Sequence, residues 1–163
     1  MLPPIQDEKH GRFLERLRGS TPAVFAVAAH LHERGYDLMI PAKRYTPSVE
    51  EHMDYVDDGD IKIKKGDGEW ERIEVKGIET QFTSLGDWPH KFVVVNSKKA
   101  VDRANPFPRA WFIVSLDLQH AIIVKGDTRN QWIARELKPK NTGVKETFYI
   151  VANEVPKFIK CVS

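Results

Sequence analysis

The chain has 163 residues, of which 25 are basic and 23 acidic, for a formal net charge of +2, and 41% are hydrophobic. That length fits about one domain, and the apolar fraction is too high for an intrinsically disordered chain. Cys161 is the lone cysteine, which excludes a disulfide scaffold; no apolar run reaches the roughly 18 residues of a membrane span, and Met1–Gly19 carries too much charge for a signal peptide.

These features predict a cytoplasmic protein with no membrane partner. The polar N-terminal arm, residues 1–20, contains a short helical pattern over Asp7–Arg18. Gly19-Ser20-Thr21-Pro22 then reads as a break and restart, with Thr21 as cap and Pro22 at the first helical position. The second helix runs to about Glu33, with Val24, Val27, Ala28 and Leu31 on its apolar side, and Gly35 stops it. Tyr36–Ile40 is a short strand, and residues 42–59 lack a period and read as a loop.

Asp60–Lys64 alternates, Lys65-Gly66-Asp67-Gly68 is turn chemistry, and Glu69–Lys76 alternates again, so the pattern is a β-hairpin. Phe92–Val95, Ala110–Leu116 and Ala121–Val124 are further strands, and Ser97–Ala104 is a short helix. Beyond residue 126 only Phe148–Ala152 stands out as a strand, which leaves residues 126–163 as an extension of a core spanning about 21–124. The order of elements predicts an α/β (α+β) domain with a central mixed sheet flanked by helices.

The chemistry-bearing segment is Gly59-Asp60-Ile61 followed by Glu74-Val75-Lys76. The hairpin lets Asp60 and Glu74 converge on one face. Two carboxylates aimed at one spot repel unless a cation lies between them, and a hard divalent ion such as Mg²⁺ (or Mn²⁺) suits oxygen ligands. Lys76 projects from the same side as Glu74, one strand period on. Metal, water and ammonium together make a workable phosphodiester-hydrolysis site.

An acid, a hairpin and a Glu-x-Lys, preceded by a helix and a strand, resemble the PD-(D/E)XK nuclease superfamily, whose fold is called restriction-endonuclease-like. The stretch Phe82-Thr83-Ser84 … Asp87-Trp88-Pro89 also looks like small phage-associated members. The resemblance implies a metal-dependent DNA nuclease, with RNA as the other candidate substrate. It implies Asp60, Glu74 and the Val75 carbonyl as metal ligands, Lys76 as the catalytic lysine, and, by analogy, a homodimer. Two departures stand out: Gly59 takes the place of proline, and the core-helix stretch Val24–Ala28 is apolar where many relatives carry a glutamate. Glu15 and Glu33 are the candidate substitutes, and the sequence does not choose between them.

Lys62 and Lys64 beside the motif, with Lys98 and Lys99 on the short helix, are candidate phosphate contacts. Trp88 is the candidate base-stacking residue, and His90 lies close enough in sequence to approach substrate. Taken singly, each of these is more commonly a solvated or packed surface residue. His30 and His32, two apart on a helix, face different sides and do not form a metal pair. The competing reading is a catalytically inactive module of the same fold that binds nucleic acid or a protein partner.

Overall fold

The structure, a computed structural model, describes residues 8–41, 60–140 and 142–161, with side chains from residue 21 onward. The protein is a small α+β domain built on a mixed sheet with few helices. Helix α1 (Glu8–Glu33) is followed by β1 (Asp37–Met39), β2 (Ile61–Lys64) and β3 (Glu71–Gly77), and then by β4 (Phe92–Ser97), α2 (Lys98–Arg103), β5 (Ala110–Val114) and β6 (His120–Lys125). The chain ends with β7 (Ile133–Leu137), β8 (Glu146–Ala152) and β9 (Lys157–Lys160).

Six strands form the main sheet in the order β1-β2-β3-β5-β6-β9. The first three are antiparallel neighbours, β5 runs parallel to β3, and the rest are antiparallel. The parallel β3–β5 pair requires a crossover, supplied by the segment containing β4 and α2. The other three strands form a separate antiparallel sheet in the order β4-β8-β7.

Alternation along the main strands builds two cores, one on each face. Ile61, Ile63, Ile73, Val75, Phe112 and Val114 pack under Val24, Val27 and Leu31 of α1. Trp111, Ile113, Ile122 and Val124 point the other way, against Val93, Val95 and Val151 of the second sheet and against Phe82 and Trp132. Val27, Ile61 and Ile122 are wholly buried, each such side chain contributing about 1.5–3 kcal/mol of transfer free energy.

Several sequence expectations are corrected here. The two predicted N-terminal helices are one continuous helix, with Pro22 inside it. Proline removes one helical hydrogen bond, but Ala23, Val24, Val27 and Ala28 directly after it are buried in the first core and anchor the helix across that position. α1 packs on one face of the main sheet, and the other is covered by the second sheet together with Val101 of α2. Residues 126–163 are not an appendage: β9 pairs with β6 in the main sheet, and β7 and β8 form most of the second. The predicted loop over residues 42–59 lies outside the described residues.

Candidate active site

The β2–β3 hairpin turns through Gly66, whose φ of 59° is in the left-handed region that favours glycine. Its register pairs Ile61 with Ile73 and Lys62 with Arg72, and Asp60, just before β2, is held against β3 by two hydrogen bonds. The Asp60 backbone N–H donates to the Ile73 carbonyl at 3.3 Å, and Asp60 Oδ2 accepts the Val75 N–H at 2.8 Å. This second bond fastens the carboxylate against β3, just before β2 begins, and gives the Val75 N–H its acceptor.

The same geometry fixes the direction of the Val75 carbonyl. Arg72 and Ile78 make their backbone bonds toward β5, the former accepting from Arg109 at 2.8 Å and the latter donating to Val114 at 3.0 Å. Odd-numbered residues of β3 therefore turn both backbone groups toward β2, and the Val75 carbonyl faces the Asp60 side. Two carboxylates and one carbonyl near the end of one hairpin are a donor set that suits a hard divalent cation, which typically keeps several waters as well.

Glu74 has a neighbour that sequence reasoning did not weigh. Arg72, two residues back and so on the same face, forms an ion pair with it; their side chains are 6% and 16% exposed. Arg72 is almost fully buried, although alternation puts it on the polar side of the hairpin. Among the described residues, no group of three or more histidine, cysteine, aspartate or glutamate side chains is placed to hold a metal ion.

Lys76 follows on the same face. Its side chain is exposed overall, and desolvation of its ammonium by the surrounding protein lowers its pKa from the ordinary lysine value, an effect opposed by the Glu146 carboxylate. A groove of about 430 Å³ opens beside it, lined in part by Ile78, Thr80, Trp88, His90 and Lys91. His90 thus shares a wall with Lys76. Trp88 is anchored by edge-on contacts to Phe82 at 5.2 Å and His90 at 4.9 Å, and its indole N–H donates to the Phe92 carbonyl at 3.3 Å.

The other candidates divide. Lys62 lies across from Arg72 on the site face, whereas the Lys64 ammonium stacks on Trp70 at 5.1 Å, toward the turn. Lys98 and Lys99 sit on α2 and do not line the groove; Lys98 pairs with Asp102, which raises its pKa. Glu33 fails as the extra acid. Ala23 packs over Gly77, at the end of β3 next to Lys76, so Glu33, ten residues along α1, lies toward the opposite end and on the other face of the sheet. The side chain of Glu15 lies outside the described residues.

No protein-family model matches the chain, and neither does any curated protein or solved structure. No helix among the described residues is long and apolar enough to cross a membrane.

Proposed function

We propose that the protein is a divalent-metal-dependent nuclease of restriction-endonuclease-like fold, hydrolysing phosphodiester bonds of DNA. The observation that carries this reading is the 2.8 Å bond that fastens the Asp60 carboxylate to the Val75 N–H, between Glu74 and Lys76 on β3, with the Val75 carbonyl turned to the same edge. Asp60, Glu74 and the Val75 carbonyl are the residues that would hold Mg²⁺ or Mn²⁺. A bound cation supplies polarisation of the scissile phosphate and acidification of water.

This chain's own groups do the rest. The Val75 N–H fixes the rotamer of Asp60 through its 2.8 Å bond. Lys76, with its lowered pKa, orients the attacking water and offsets charge that develops on the phosphate. The groove beyond Lys76, with Trp88, His90 and Lys91 on its walls, receives the nucleotide next to the scissile bond. Lys62 adds a phosphate contact from the neighbouring strand.

The Arg72–Glu74 ion pair favours a second reading, a catalytically inactive module that retains nucleic acid, because a guanidinium already neutralises one of the two carboxylates. Incubating the purified protein with duplex, branched and single-stranded DNA and with RNA, in Mg²⁺ or Mn²⁺ and in chelator, separates the two. The nuclease reading expects metal-dependent cleavage that is lost in Lys76→Met and Asp60→Asn. Metal-independent retention of DNA without cleavage of any substrate supports the module instead.

A further inference from the structure

A second concavity, of about 600 Å³, lies on the opposite face of the main sheet from Glu74. Among the described residues, α1 covers β2, β3 and β5, and no helix covers the β6–β9 side of that face. Its floor is the apolar alternation of the strands: Phe112 of β5, Ile123 of β6 and Ile159 of β9, the last two only partly buried. At the strand ends the alternation changes from apolar to charged. Lys125 follows Ile123 on the same face, and Lys157, paired across from Ile123, stands beside it.

The rim is cationic. Arg34, Arg109, Lys125 and Lys157 outnumber the lining carboxylates Glu71 and Asp127. Glu71 is engaged with Arg109 at 2.7 Å. Arg34 is held at the helix end by donating its Nε–H to His30 Nε2 at 3.0 Å. That bond requires an unprotonated His30 Nε2, and the burial of His30, with the adjacent Arg34 charge, lowers its pKa and so favours the neutral imidazole. Among the described residues, Arg34 is thus held by an imidazole rather than a carboxylate, and its charge adds to those of two exposed lysines.

We infer that this cavity is a binding site for a small organic anion: an apolar body over Phe112, Ile123 and Ile159, with a carboxylate or phosphate monoester head against Lys125, Lys157 and Arg34. The volume falls within the usual 300–1,000 Å³ of ligand sites, which combine a mostly apolar lining with a few convergent polar groups. A second copy of this chain would bring the same cationic rim to the contact, so like charges would meet. A nucleic-acid backbone would leave the apolar floor uncovered.

The test uses the full chain and 1-anilinonaphthalene-8-sulfonate, an aromatic anion whose fluorescence rises in apolar surroundings. The site predicts saturable binding, displaced by decanoate or decyl phosphate and at least about tenfold less well by neutral decanol. Whichever of the two anions displaces more strongly identifies the head group. Lys125→Glu and Lys157→Glu, both at exposed positions, should each weaken binding about tenfold while leaving the melting temperature and any metal-dependent cleavage unchanged. Lys138→Glu, an exposed control outside the cavity, should leave binding unchanged. No saturable binding, equal displacement by decanol, or indifference to both rim reversals overturns the assignment.

Discussion

The Asp60 carboxylate accepts the backbone N–H of Val75 at 2.8 Å. One side chain is thereby tied to β3 just before β2 begins, at the residue that follows Glu74. Structure and proposed chemistry rest on the same carboxylate, and different substitutions separate the two roles.

Asp60→Asn keeps an acceptor oxygen for Val75 and removes the charge. It should leave the melting temperature nearly unchanged and abolish metal binding and cleavage. Asp60→Ala removes the acceptor from a buried N–H and should cost about 1–3 kcal/mol of stability as well. Urea denaturation of the two variants, run beside a cleavage assay, checks both expectations.

Glu74 is bound to its own strand through Arg72. Glu74→Ala takes the carboxylate away from a guanidinium that is almost fully buried, so the expected loss is on the order of 3 kcal/mol. Glu74→Gln retains hydrogen-bonding capacity and should cost less. Loss of cleavage in Glu74→Ala at a temperature where it is partly unfolded would say nothing about chemistry, whereas Glu74→Gln, checked by circular dichroism, isolates the charge. Replacing both residues, as in Arg72→Met with Glu74→Leu, should recover most of the stability lost by Glu74→Ala.

The extent to which these features could be read in the sequence follows from what period-two alternation encodes. It shows Ile61, Ile63, Ile73 and Val75 on one side of the hairpin and Arg72, Glu74 and Lys76 on the other. It does not show what covers the second side. Arg72 looks like a solvent-facing charge by its place in the alternation, yet it is almost fully buried in the folded chain. Alternation likewise marks Phe92–Val95 as a strand without saying that it belongs to another sheet. β7 is exposed along almost its whole length and so has no alternation to read. β9 turns Phe158 to one core and Ile159 to the other within four residues, too short a run to register as a strand.

His30 makes stability depend on pH. Burial, reinforced by Arg34 and opposed by Glu33, lowers its pKa from the ordinary value of about 6.5. Above that value both folded and unfolded chains carry a neutral imidazole, and His30 contributes no pH dependence. As the pH falls through about 6.5 the unfolded chain takes up a proton that the folded chain resists, so stability falls until the lower folded-state pKa is reached. Denaturation midpoints measured between about pH 7 and pH 5 should decline more steeply in the wild type than in His30→Gln.

Cys161 reports on the first core. Its thiol is buried, and burial pushes its pKa up to about 11. At about pH 8 the thiolate, the reactive form, is a very small fraction. Modification by a disulfide reagent should therefore be slow in the native protein and rise with denaturant along the global unfolding curve. Rapid labelling of the native state would contradict the packing of Cys161 against the α1 core.

Binding of Mn²⁺ measured by electron paramagnetic resonance tests the central claim most directly, because free ion is counted without any need for a substrate. The account predicts saturable binding to the wild-type chain that is lost in Asp60→Asn and in Glu74→Gln while both variants remain folded. Saturable binding of equal strength in all three proteins, or no binding to the wild type, would contradict it.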